Sequence, residues 1–300
     1  MSAKTTVSRP FTGPRITEPR QFVWHGVKVV QFTWNHPANK GSQARAILRL
    51  IVFQTRGRLL HRPTIARLGR RSSIWAIVHR HGSAKAMYAN PPDYPEMLVW
   101  RQRIHAGDLF LDVGANVGAY SIWVGELGAE AIAVEPAEDT FVLLQDNIRL
   151  NKHNITAVRA AAGTSCGVIR FTEGRDCVNR IDPEGAVEVP VITIDSLVGD
   201  RTVAGMKIDV EGFEIDVLRG AELALSEHRI ELIQLEWNAT SESAVGTDRQ
   251  PVAELLTSHG YRLYRSDCQG VLLPISDFGF GADVFAKPDA NPVATVRSHD

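Results

Sequence analysis

The stretch "LFLDVGANVGAYSIW" (109–123) constrains the fold of this chain more than any other. Five residues that read as a buried strand run into two glycines four positions apart, Gly114 and Gly118, and then into an apolar helix. A strand that breaks at glycine and resumes as a helix leaves the first amides of that helix exposed. Such a unit opens a doubly wound sheet, in which ligands bind at the carboxyl ends of the strands, beside the point where strand order reverses. Gly114 lets backbone approach a ligand closely, and the amides that follow can hold a carboxylate or a phosphate.

The alternation continues along the chain. A strand at 131–135 precedes a helix over 138–151 that carries Phe141, Leu144 and Ile148 on one face, and a third strand covers 155–159. Two β-rich segments follow, at 167–171 and 187–194. A strand at 205–209 leads to a helix over 213–225, and a strand at 230–236 leads to a helix over 251–259. Strands at 261–265 and 283–287 finish the pattern. Strands alternating with helices predict an α/β fold with a mostly parallel sheet covered on both faces. The regular part occupies 94–288, preceded by a basic N-terminal extension, 1–93, and followed by a tail, 289–300.

Charge is distributed unevenly. Residues 1–100 hold sixteen Lys and Arg against three Asp and Glu, while the remaining 200 hold seventeen against thirty-one. A basic arm of this kind meets an anionic partner or folds onto the acidic domain of its own chain. In the arm, the alternation in "QFVWHGVKVVQFTW" (21–34) predicts a strand pair. From Gln43 to Arg71, Ile47, Leu50 and Ile51 interleave with Arg45, Arg49 and Arg56 at helical spacing. This stripe reads either as a helix on a membrane surface or as one packed on its own protein. Cys166, Cys177 and Cys268 are odd in number and widely spaced, so neither a disulfide framework nor a zinc knuckle fits. With no apolar leader at the N-terminus and no stretch apolar enough to span a bilayer, the expectation is a cytoplasmic protein, peripheral to the membrane at most.

A dinucleotide site would want G-x-G-x-x-G, whereas this chain reads Gly114-Ala115-Asn116-Val117-Gly118. Asp112 can accept from an ammonium group, and Glu135, at the end of the second strand and followed by Pro136, can accept both hydroxyls of a ribose. A ligand with an amino-acid end and an adenosine end satisfies both, and S-adenosylmethionine is such a ligand. The runs "DVGANVGAYS" (112–121), "AVEPAEDTFVLLQDNIRLN" (133–151), "VRAAAG" (158–163), "VEVPVITIDSL" (187–197) and "MKIDVEGFEIDVLRGAE" (206–222) resemble, in order, the FkbM family of S-adenosylmethionine-dependent methyltransferases. The resemblance covers about residues 94–240. It implies a class I methyltransferase, Rossmann-like fold of seven strands whose last hairpin is antiparallel, and O-methylation of sugars, glycolipids or secondary metabolites. It also implies a donor loop of Asp112, Gly114, Ala115, Asn116 and Gly118, a ribose contact at Glu135–Pro136, and an adenine edge at Ala160–Ala161.

Methyl transfer is an in-line displacement, so alignment and desolvation matter most, and a sugar hydroxyl gains from a nearby base. His105, His153, His228 and His259 immediately precede strands and fall on the wrong edge of the sheet. Asp209, Glu211 and Glu236 follow strands and are the catalytic candidates, Asp209 first. A metal-free mechanism is expected; were a hard metal used, Asp209, Glu236 and Asn238 would hold it. "ANPPDYPE" (89–96) reads as a proline-rich linker rather than a base-gripping loop, and His79 and His81 have no third ligand in view. The expected partner is a small-molecule, glycan or glycolipid acceptor. Two rivals are a nucleic-acid methyltransferase that uses the basic arm on phosphates and a non-catalytic module that only binds the cofactor.

Overall fold

The computed structural model describes residues 19–78, 80–171, 187–210, 212–237, 249–276 and 283–289. Its centre is a sheet whose parallel strands are β3 (Leu109–Val113), β4 (Glu130–Val134), β5 (Ile155–Val158), β9 (Gly205–Ile208) and β10 (Ile233–Leu235). Between β3 and β5 lie α5 (Ala119–Gly125) and α6 (Glu138–Asn151). A small second sheet holds β6 (Ala161–Ala162), β8 (Val187–Ile192) and β7 (Gly167–Phe171), in that order. The main sheet is completed by β11 (Tyr261–Ser266), β12 (Leu272–Pro274) and β13 (Val284–Pro288).

The order across the main sheet is β12-β11-β13-β10-β9-β3-β4-β5. From β3 the chain winds outward to β5, then returns to β9 on the other side, so order reverses beside β3. The strand β13 runs antiparallel between β10 and β11, which gives the expected seven-stranded class I arrangement. An eighth, three-residue strand, β12, adds to the outer edge beyond the seven expected.

Alternation along β3 sends its side chains to two cores. Leu109, Leu111 and Val113 join Met206, Ile208 and Ile233 against α7 (Ile194–Val198), α8 (Glu214–Arg219), α9 (Glu222–Ser226) and α10 (Gln250–Ser258). Phe110 faces the other way, into a core with Trp100, Trp123 and Phe285. The helix expected over 213–225 is divided at Gly220, where an added Cβ would lie 2.1 Å from Gly163 O; backbone meets backbone there.

The second core also contains the N-terminal extension. The strand pair expected over 21–34 is instead one helix, α1 (Pro19–Asn35). Val30, Phe32 and Trp34 alternate while Val27, Val30 and Trp34 fit helical spacing, and a short apolar run does not separate the two periods. The helix α2 (Gln43–Leu60) ends well before Arg71: His61 turns left-handed at φ 49°, and Pro63 disfavours helix in the residue before it. The hairpin β1 (Thr64–Leu68) and β2 (Ser72–Ala76) follows, then α3 (His81–Tyr88) and α4 (Tyr94–Arg103). Leu50, Phe53, Ile74 and Met87 share the core of Trp100 and Phe110, so the core runs unbroken across the 93/94 boundary drawn from the sequence.

Side chains of the regular domain fasten this hairpin. Asn147 accepts from Trp75 N (2.8 Å), and Asn151 both accepts from Ser73 N and donates to Ser73 O. The Glu126 carboxylate accepts from the backbone N–H of Arg70, Arg71 and Ser72, while Arg101 lies 3.5 Å away. Burial alone would raise the Glu126 pKa, but these N–H groups outweigh it and hold the carboxyl below its usual value. A depressed folded-state pKa contributes stability above the unfolded value that is lost as pH falls through the folded one. Glu126→Gln is therefore expected to cost about 1–3 kcal/mol at neutral pH. Urea unfolding should show the difference from the parent protein shrinking as pH drops below about 4.

Candidate active site

The site lies where β3, β4, β9 and β10 end. The loop after β3 folds through three left-handed residues, Gly114 (φ 78°), Asn116 (φ 51°) and Gly118 (φ 84°). A Cβ at Gly114 would fall 1.9 Å from Asp209 O, and one at Gly118 2.5 Å from Leu144 Cδ1. Space and backbone conformation thus both require glycine at these two positions. Ala115 is buried, and its amide, like that of Gly114, donates to Val134 O at 2.9 Å.

Glu135, 7% exposed, accepts from Asn116 N (2.9 Å) and Ala137 N (3.0 Å) across the partly buried Pro136. Burial lifts its pKa to about 7 despite these two N–H bonds. Ala160 and Ala161, both buried, follow β5 beside it, the Glu135 amide donating to Val158 O. The loop, Glu135 and the alanine pair are therefore gathered at one edge of the sheet.

Asp112, the residue expected to accept from an ammonium group, also has a partner within the protein. It is buried, and its Oδ2 accepts from both Ser121 N (2.9 Å) and Ser121 Oγ (2.6 Å), which fixes the start of α5. Burial raises its pKa, opposed by Lys207 and Ser121. No local pattern in the sequence connects two residues nine apart in this way.

Strand register builds the rest. Asp112 is paired with Lys207, and Lys207 with Gln234, so three polar side chains stand in a row on one face of the sheet. The Lys207 Nζ lies 2.7 Å from Asp209 Oδ2 and 4.7 Å from the centre of the Tyr120 ring. Its side chain is only 7% exposed. Burial should lower its pKa; Asp209, Asp112 and Asp283 outweigh that and raise it, so the ammonium stays charged. Asp209 shows the converse: burial would raise it, but Lys207 and a hydrogen bond from Glu236 hold it low and ionised. Asp209 and Glu236 are thus brought together, whereas Glu211, Asn238, Cys177, His79 and His299 lie outside the described residues.

Two acids escaped the sequence reading. Gln234 Nε2 donates to Asp283 Oδ2 (2.7 Å) and to Tyr120 Oη (3.1 Å), while its Oε1 accepts from Trp100 Nε1. Burial lifts the Asp283 pKa to about 6. Asp283 precedes a strand, which excludes it in a parallel sheet; β13 is antiparallel, so its start lies on the same edge as the ends of β9 and β10. Glu96, in the segment read as a linker, has a pKa lifted to about 7 by burial, with Asp283 and Asp93 adding to the rise. Asp93 itself pairs with Lys85 Nζ at 3.3 Å. The linker therefore carries charge to the site. His153 and His228 are engaged away from it, with Ser72 Oγ (2.8 Å) and His259 O (2.7 Å). Among the described residues, no group of three or more His, Cys, Asp or Glu side chains is placed to hold a metal ion.

The extension also reaches the glycine loop: a Cβ at Gly82 in α3 would sit 2.6 Å from Asn116 Oδ1.

The hexuronic acid methyltransferase AglP of Haloferax volcanii is 28% identical to this chain over 156 residues, 50% of this chain and 62% of that protein. The chain thus spans less than two thirds of that relative. Among solved structures, the 16S rRNA N2 G1207 methyltransferase RsmC of T. thermophilus covers 76% of this chain, with 50% of its own length matched, at 14% identity and a TM-score of 0.43. The precorrin-6y C5,15-methyltransferase of Geobacter metallireducens covers 64%, with 87% of its own length matched, at 14% identity and a TM-score of 0.38. The family described as Methyltransferase FkbM domain matches residues 112–263, just over half of the chain. With the glycine loop, Glu135 and the strand order in place, the chain belongs to the FkbM methyltransferase family.

Proposed function

We propose that this chain is an S-adenosylmethionine-dependent O-methyltransferase that acts on a hydroxyl of a sugar, a hexuronic acid being the first acceptor to try. The observation that carries the reading is the pairing of a tight glycine loop with a buried acid, Glu135, at the end of the next strand. A carboxylate there suits the two hydroxyls of a ribose, and the left-handed glycines let the loop backbone turn close beside it. When bound, the donor supplies an electrophilic methyl group on a sulfonium centre. The residues of the chain supply position and proton handling. Support for a sugar comes from the acids and amide facing the polar row and from the hexuronic acid methyltransferase relative.

Among these acids Asp283 is better suited than Asp209 to take the proton from the acceptor hydroxyl. A base works best with a pKa near the working pH. Asp283 has a value of about 6, whereas Asp209 is held low by Lys207 and acts as a fixed negative charge that orients the hydroxyl. The neighbouring Glu96, neutral through much of the range below about 7, can donate to a second hydroxyl.

Two measurements test this reading. Glu135 is neutral below about 7 and ionised above, and the ionised form accepts both ribose hydroxyls. Calorimetry should find donor affinity rising with pH through neutrality, with a proton released to buffer on binding. Glu135→Gln should flatten that dependence and weaken binding by about tenfold or more. With donor saturating and a hexuronic-acid glycan as acceptor, turnover should rise as pH passes about 6, where Asp283 ionises. Asp283→Asn should remove that limb and lower turnover by about 10²–10⁴. A variant that keeps both the limb and the parent rate would exclude Asp283 as the base.

A further inference from the structure

The helix α2 is apolar on two opposite faces. Ala46, Leu50, Phe53 and Gly57 are buried against the protein. On the far side Leu48, Ile51, Val52 and Leu59 are 61%, 53%, 44% and 74% exposed, in a stripe at helical spacing. The companion helix α1, which packs on α2, exposes Val27, Val30 and Trp34 at i, i+3 and i+7, and these line a shallow groove. A surface helix ordinarily turns polar residues to water, so a second apolar stripe points to something that covers it.

The charge around the stripes says what that is. From Pro19 to Arg71 the chain has eleven Lys and Arg and no Asp or Glu. Arg45 and Arg56 are exposed beside the stripe of α2. A second copy of this chain would bring two such acid-free surfaces together, and like charges repel. Nucleic acid would suit the arginines but leave the leucines in water. An anionic bilayer satisfies both: apolar side chains enter the boundary of the acyl chains, guanidinium groups meet phosphates, and Trp34 sits at the interface. No helix among the described residues is long and apolar enough to cross a membrane, so the contact is with one leaflet. We propose that the α1–α2 pair docks the protein on an anionic lipid surface. This does not depend on the assignment of the methyl donor or acceptor.

The test is co-sedimentation of the full chain with vesicles of phosphatidylcholine alone and of phosphatidylcholine with about one third phosphatidylglycerol. Binding is expected to the second only and to weaken with salt. The double variants Ile51→Gln/Leu59→Gln and Arg45→Glu/Arg56→Glu should each reduce it by about tenfold or more. All four residues are exposed, so circular dichroism should show both variants folded. Absence of binding to the anionic vesicles, or equal binding by parent and variants, overturns the proposal. So does a concentration-dependent dimer, seen by ultracentrifugation, that Ile51→Gln/Leu59→Gln abolishes. Salt-sensitive RNA binding that ignores the apolar variant, with no vesicle binding, would assign the surface to nucleic acid instead.

Discussion

A buried ammonium organises the active edge. Asp112, Asp209 and Asp283 would repel one another in a largely dry site, and each would tend to hold a proton. Lys207, carried in by strand register between Asp112 and Gln234, sits among them and ionises the one it touches most closely. The result is a graded set of carboxyls: Asp209 charged, Asp283 poised near 6, Glu96 and Glu135 near 7. Acids of different proton affinity along one edge of the sheet differ in protonation at a given pH, so some accept hydrogen bonds where others donate them.

Much of this was readable from the chain. The strands β3 and β4 are mostly apolar, and the glycine loop carries two residues that tolerate nothing larger, so β3, β4, α6 and the glycine loop stand close to where the sequence pattern puts them. Residues that depend on distant partners were hidden. Ser121 matters because Asp112 lies across the turn from it, Lys207 because register sets it between two strands, and Asp283 because a strand inserted antiparallel reverses which end faces the site. The extension was misread for a different reason. Its apolar positions satisfy periods of both two and 3.6, and the stop at Pro63 and the turn at Gly69 were outweighed by a helical stripe.

The extension is fastened to the domain by side chains that bond to its backbone. Glu126, Asn147 and Asn151 spend their hydrogen-bonding capacity on the backbone of the β1–β2 hairpin. Bonds to backbone demand a shape and place few demands on residue identity, so the arm is free to vary in composition while it keeps its seat. That freedom suits a segment whose outward surface is rich in arginine and leucine.

The contact between Gly82 and Asn116 ties the extension to the glycine loop. Position 82 precedes the family-matched segment by thirty residues, yet it abuts the loop on which the shared chemistry rests. Replacing the extension would therefore change what packs on the glycine loop, even with every residue of the matched segment retained. A side chain at position 82 would thus press on Asn116 from outside the matched segment.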